Sequence, residues 1–216
     1  MIKAVFFDMD GVLYDSMPAH EIAWCETFRR IGMAFSPTEA YENEGRTATG
    51  TINIVFERSI GRKATDKEVE DLYVIKTQLM RECGPAKPFP AMKRLLPELR
   101  RRGVSVFIVT GSRQPSLVDK LTAEFGVDSA HLITGRDVKY GKPNPEPYLM
   151  ALERSGERPE DCLVVENAPL GVESGKAAGL PVLAVNTGKL SDSYLSAADK
   201  LFHTTEEVES YLLQTI

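Results

Sequence analysis

The sequence predicts an α/β fold, a doubly wound parallel sheet with a small α-helical domain inserted after the first strand. Three observations predict it. Short apolar runs rich in Val and Ile do not alternate with polar residues, as strands covered on both faces require. Helical patterns lie between those runs, the order that winds helices over a parallel sheet. Residues 16–88 hold no strand-like run, only amphipathic segments.

The apolar runs cover residues 2–7, 104–109, 162–165 and 182–185, with a weaker one at 131–133. The expected helices between them are 92–102, stopped by Gly103, and 114–125, with Pro115 near its start. A third, 146–155, follows Asn144-Pro145, a cap with proline at the start of the helix, and a fourth, 170–178, ends at Gly179. Within the insert, residues 20–31, 52–60 and 67–82 have helical spacing. The flanking segments Asp15-Ser16-Met17-Pro18 and Lys87-Pro88-Phe89-Pro90 carry the prolines expected of hinges. The expected division is a core of residues 1–15 and 89–216 and a helical cap of residues 16–88.

Composition narrows the function classes. A chain of 216 residues suffices for one core domain with a small insert, and 43% hydrophobic with 26% charged residues is globular rather than disordered. A net charge of −5 argues against nucleic acid or an anionic membrane as partner, though local cations or a metal still admit an anionic substrate. No apolar run is long enough to span a bilayer and the first residues lack a signal-peptide pattern, so a cytoplasmic location is expected. Cys25, Cys83 and Cys162 are far apart and odd in number, which fits reduced thiols and neither a disulfide framework nor a zinc site. The oligomeric state is not legible; a monomer is compatible with the sequence.

Ligands of open parallel sheets bind beyond the carboxyl ends of the strands. The first run ends in Asp8-Met9-Asp10-Gly11, the second in Thr110-Gly111-Ser112, and a third in Glu166-Asn167; Tyr140-Gly141-Lys142-Pro143 precedes a helix. Carboxylates, an amide, a hydroxyl, a lysine and a glycine-bearing turn at one edge suit a metal-bound phosphoryl group. A divalent cation and a lysine offset the negative oxygens that make a phosphate ester resist attack. A carboxylate such as Asp8 can then form an acyl phosphate, splitting one difficult step into two. A second acid, Asp10, is placed to protonate the leaving group and later activate water. Thr110 and the backbone N–H groups of Gly111 and Ser112 can hold phosphoryl oxygens.

These four segments, extended as Phe7-Asp8-Met9-Asp10-Gly11-Val12-Leu13, Val109-Thr110-Gly111-Ser112, Gly141-Lys142-Pro143 and Val164-Val165-Glu166-Asn167-Ala168-Pro169-Leu170-Gly171-Val172, resemble the ordered motifs of the haloacid dehalogenase superfamily. The subgroup they resemble is the β-phosphoglucomutase-like phosphatases, which carry a helical cap after the first motif. The resemblance implies a Rossmann-like core and Mg²⁺ as cofactor. It implies Asp8 as nucleophile and metal ligand, and Asp10 as acid/base that also lends its carbonyl to the metal. Thr110 and Lys142 would bind the transferring phosphoryl group, and Glu166 and Asn167 would complete the metal site. The presence of Asp10 argues against the dehalogenase branch, which resembles this pattern but lacks the second aspartate.

Two departures from that pattern bear on substrate. The motif after the third long run usually ends in two acids, and Asn167 leaves the metal site one charge short. In Glu44-Gly45-Arg46-Thr47-Ala48, Ala48 stands where mutase caps place an arginine. Glu44 swinging in with the cap is expected to replace the missing charge, leaving room for a small substrate. That pairing resembles a pyrophosphatase-like offshoot, so hydrolysis of inorganic pyrophosphate is the favoured expectation. The alternatives are a β-phosphoglucomutase, a sugar-phosphate phosphatase, or a non-catalytic module that binds a phosphorylated ligand. Cap-side candidates for the substrate are His20, Glu44, Arg46 and Lys76, with Arg113 from the core. Trp24, on one face with Phe28 and Ile31, reads as cap core.

Overall fold

β1 (Ala4–Phe7) is buried along its whole length because it lies inside a six-stranded sheet. The computed structural model describes residues 1–113 and 117–216. β1 pairs in parallel with β4 (Ser105–Val109) on one side and β6 (Cys162–Glu166) on the other. β5 (Leu132–Ile133) lies outside β4, and β7 (Val182–Val185) and β8 (Lys200–Phe202) follow β6, giving the order β5-β4-β1-β6-β7-β8. Every neighbouring pair is parallel.

Both faces are covered, which is why the strands read as unbroken apolar runs. Val5 and Phe7 pack against Met92, Leu95, Leu96 and Leu99 of α5 (Pro90–Arg101). Ala4 and Phe6 face the other way, toward Tyr148 and Ala151 of α7 (Glu146–Ser155) and Val172 of α8 (Pro169–Ala177). Each such Leu or Phe contributes about 1.5–3 kcal/mol by leaving water. α7 begins as its sequence suggests, with the Asn144 Oδ1 accepting from the Glu146 N–H at 2.9 Å. β8 and the closing helix α9 (Thr205–Thr215) lie beyond the runs legible in the sequence. β8 is a short edge strand with one buried residue, too brief for a pattern. Of the helix expected at 114–125, α6 (Leu117–Phe125) is described; residues 114–116, with Pro115, lie outside the described residues.

Between β1 and α5 come α1 (Met17–Arg30), α2 (Pro37–Glu42), α3 (Ala48–Ile60) and α4 (Asp66–Glu82). They bury a cluster of their own, with Trp24, Phe28, Ile52, Val55, Phe56 and Leu72. Trp24 stacks on Phe28 with ring centroids 5.6 Å apart. α2 escapes the periodicity reading because it has six residues; a Ser36–Glu39 capping box starts it. The chain leaves and re-enters the core through β2 (Tyr14–Asp15) and β3 (Lys87–Pro88), which pair antiparallel. β3 places a two-residue strand in a segment expected to have none. It forms because the two connections run side by side, not because of an apolar pattern. Among the described residues no helix is long and apolar enough to cross a membrane.

Candidate active site

Parallel strands deliver their polar C-terminal residues to one edge. Asp8 follows β1, Thr110 follows β4, Glu166 ends β6 and Asn167 follows it, while Lys142 arrives from the loop before α7. All five are buried. The Lys142 Nζ donates to the Asp8 Oδ1 at 2.5 Å, the Glu166 Oε1 at 2.6 Å and the Val109 carbonyl at 3.1 Å. Burial opposes the lysine's charge, but Asp8 and Glu166 outweigh it and hold its pKa well above the usual value. Lys142 is therefore a fixed cation beneath Asp8.

Glu166 is fully engaged. Its Oε1 also accepts from the Tyr148 hydroxyl at 2.8 Å, and its Oε2 accepts from the Asn167 and Ala168 N–H groups at 2.9 and 3.3 Å. Its carboxylate lies over Gly171, where a Cβ would come within 1.8 Å of the Oε1. In this arrangement Glu166 orients Lys142 and has no lone pair directed elsewhere.

Two acceptor oxygens are different. The Asp8 Oδ2 and the Asn167 Oδ1 are buried with no hydrogen-bond partner among the described residues. Such atoms carry a desolvation cost unless a ligand compensates it. Burial first, then Glu166 and Glu44, push the Asp8 carboxyl well above the usual carboxylate range against the pull of Lys142. An oxygen-seeking divalent cation fits these donors, because it would satisfy both oxygens and favour the ionised Asp8. Among the described residues no three His, Cys, Asp or Glu side chains are grouped to hold a metal, so a cation here relies on the Asn167 amide.

The turn after β4 is tied by the Ser112 N–H donating to the Thr110 Oγ1 at 3.1 Å. That N–H, expected to meet a phosphoryl oxygen, is directed at the threonine instead. Arg113 donates from its Nε to the Gly135 carbonyl at 2.8 Å.

The cap is seated on these groups. A Cβ placed on Gly111 would lie 3.3 Å from the Gly45 carbonyl, and one on Gly141 2.8 Å from the Thr47 Cγ2. The His20 Nε2 lies 3.5 Å from the Asp10 Oδ1, and its Nδ1 lies 3.6 Å from the Glu44 Oε2. Ser16 donates to the Asp10 Oδ1 at 2.6 Å. Burial works to raise the Asp10 pKa, but His20, Ser16 and Lys76 together hold it at about 2. Glu44 shifts the other way, upward, through burial and the facing Asp10. Lys76 is buried with its Nζ 5.4 Å from the centre of the Trp24 ring, and burial lowers its pKa. Arg46 donates to the Asn43 Oδ1 at 3.1 Å. A cavity of about 650 Å³ separates cap and core, and Asp10, His20, Glu44, Arg46, Lys76 and Arg113 all line it.

The structure thus gathers Asp8, Thr110, Lys142, Glu166 and Asn167 at one edge of the sheet, while Asp10, His20 and Glu44 line the cavity. Tyr148 and Ser16 belong to the same network and escaped the sequence reading. Tyr148 is one aromatic residue in an ordinary helix, and Ser16 lies in a segment read as a hinge; neither carries a motif.

A family model for haloacid dehalogenase-like hydrolases matches residues 2–179. The chain belongs to this family. Hexitol phosphatase A of Escherichia coli is 31% identical to this haloacid dehalogenase-like chain over 95% of it and 93% of the relative. The β-phosphoglucomutase of Bacillus subtilis is 27% identical over 87% of this chain and 85% of its own. A solved Bacteroides vulgatus protein, provisionally assigned as a β-phosphoglucomutase, superposes with a TM-score of 0.94 at 44% identity. It covers 99% of this chain and 89% of that one. The family model makes the chain a hydrolase of the haloacid dehalogenase-like type.

Proposed function

We propose that the chain is a Mg²⁺-dependent phosphatase that moves a phosphoryl group from a small sugar or polyol phosphate to Asp8 and then to water. The observation that carries this reading is the unpartnered Asp8 Oδ2, buried beside Lys142 at the sheet edge, two residues before the Asp10 that lines the cavity between cap and core. In the first step an Asp8 oxygen forms a bond to phosphorus, the bond to the leaving-group oxygen breaks, and that oxygen departs with a proton from Asp10, which is left as the carboxylate. Lys142 and Thr110 counter the charge on the transferring oxygens. Asp8 and Asn167 would hold a Mg²⁺ ion, which would supply the remaining positive charge. In the second step water attacks the acyl phosphate, Asp10 takes its proton, and phosphate leaves Asp8. The low Asp10 pKa of about 2 keeps it in the base form that this step needs.

Substrate size follows from the cavity. A volume of about 650 Å³ accepts a six-carbon phosphate. The names of the Escherichia coli and Bacillus subtilis relatives point to the same class. Ala48, which lines the cavity, stands where mutase caps place the arginine for a second phosphate. A second reading, pyrophosphate, is favoured by one observation: Glu44 lies within 3.6 Å of His20, itself 3.5 Å from Asp10, so the cap brings an acid toward the metal side.

The test is phosphate release from hexose and hexitol monophosphates and from pyrophosphate, with Mg²⁺ and with chelator, for the wild type and Asp8→Asn. We expect Mg²⁺-dependent kcat/KM for a sugar or polyol phosphate to lead by about tenfold or more, and Asp8→Asn to lose at least about a thousandfold. Faster pyrophosphate turnover, lost in Glu44→Ala, moves the assignment to the second reading. Full activity in Asp8→Asn, or phosphate binding with no turnover at all, overturns the enzyme reading.

A further inference from the structure

The core touches the cap a second time, through the loop after β7. Lys189 donates to Glu21 of α1, with its Nζ 2.8 and 3.1 Å from the two carboxylate oxygens. The same Glu21 Oε2 accepts from the Tyr41 hydroxyl at 2.9 Å. Tyr41, on α2, is buried with Met17, Ala40 and Leu190. Its ring presses on Gly188 so closely that a Cβ there would sit 2.8 Å from the Tyr41 Cδ1. Farther along the loop, the Tyr194 hydroxyl donates to the Glu42 Oε1 at 2.9 Å.

At its other end the loop is tied to the catalytic turn. Thr187 donates from its Oγ1 to the Gly11 carbonyl at 2.6 Å. Asn186 braces the loop internally, donating to the Leu190 carbonyl at 3.0 Å and to Asp192 at 2.8 Å.

The gripped cap residues are neighbours in sequence of the two that face Asp10. Glu21 follows His20 directly, and Tyr41-Glu42 precede Glu44 by a few peptide bonds. We propose that residues 187–194 form a positioning clamp that locates His20 and Glu44 over Asp10 by holding α1 and α2. Tyr41 and Gly188 carry most of its effect. An exposed Lys–carboxylate pair adds little alone, whereas a buried ring seated on a backbone leaves almost no freedom to slide. These are positioning residues, since none of them reaches the cavity's catalytic groups.

The kinetic part of the test rests on the phosphatase reading; the optical part does not. Trp24 is the single tryptophan, lines the cavity beneath the cap and is 8% exposed. In Gly188→Ala the added methyl displaces the Tyr41 ring, so acrylamide should quench Trp24 more readily than in the wild type, with no substrate present. kcat/KM should fall roughly ten- to a hundredfold, the scale of an ångström-sized misplacement, and circular dichroism should stay unchanged. The double variant Gly188→Ala with Tyr41→Leu should lose no more than Tyr41→Leu alone, because the methyl then has no ring to meet. If Gly188→Ala fails to fold, Tyr41→Leu removes the ring from Gly188 without adding a clash and gives the same optical readout. Wild-type quenching in the variants that fold, or additive losses in the double variant, overturns the clamp. Increased quenching in a protein that shows no phosphatase activity upholds the clamp and overturns only the functional assignment.

Discussion

Replacing Lys142 by methionine separates the two tasks of the buried cation. Lys142 is 3% exposed, and its ammonium bridges the Asp8 Oδ1 and the Glu166 Oε1. Methionine fills nearly the same space, so little cavity penalty arises. What remains is Asp8 and Glu166 facing each other, with Tyr148 as the other side-chain donor to Glu166 among the described residues. Removing one partner of a buried pair costs about 3–5 kcal/mol. Against a total stability of about 5–15 kcal/mol the variant should still fold. With a urea slope near 2 kcal/mol/M its midpoint should drop by roughly 2 M. Turnover should fall further than folding explains, by about 10²–10³ in kcat, because the fixed cation beside Asp8 is gone. Urea unfolding followed by Trp24 fluorescence gives the first quantity, and phosphate release under fully folded conditions gives the second. An unchanged midpoint would show that the Lys142 bridge does not hold the site together. Unchanged kcat would show that its charge does not act on the substrate.

Two further outcomes follow from single contacts. Gly171→Ala puts a methyl 1.8 Å from the Glu166 Oε1, so it should displace Glu166 and Lys142 together; activity should fall at least tenfold and stability by about 1–3 kcal/mol. Wild-type kinetics in that variant would rule out the Glu166–Lys142 relay. Asp199 accepts from the Val182 N–H at 2.7 Å and from Lys176 at 2.7 Å. Burial opposes its charge, but Lys176 and the Val182 N–H prevail and lower its pKa below the ordinary 3.8. A carboxylate held lower in the folded state binds fewer protons there than when unfolded. Its stabilisation is therefore complete above about pH 4 and is lost as pH falls through the folded value. The melting-temperature gap between wild type and Asp199→Asn should be constant near neutrality and narrow progressively below pH 4; a gap that shows no narrowing in acid contradicts the assignment.

Most of the sheet was legible because strands covered on both faces must be apolar throughout. β1, β4, β6 and β7 stand within a residue or two of the apolar runs, and the helices over them appear between those runs. β8, α9, α2 and β3 were not legible. Each is short or half-exposed, and is stabilised by a neighbour or a capping box that local pattern does not report. The positions of Asp8, Asp10, Thr110, Lys142, Glu166 and Asn167 were legible for the same topological reason, since parallel strands carry whatever follows them to one edge.

How those side chains share their hydrogen bonds is a different matter. The residue types at the strand ends follow from the sequence alone, and so does the phosphoryl chemistry they suit. The sequence does not say that Glu166 spends its lone pairs on Lys142, Tyr148 and two backbone N–H groups, leaving the Asp8 Oδ2 and the Asn167 Oδ1 unpartnered. Nor does it say that Tyr41 rests on Gly188, more than a hundred residues away. Those facts depend on distances between segments remote in the chain, and only packing the cap and the sheet into one structure fixes them.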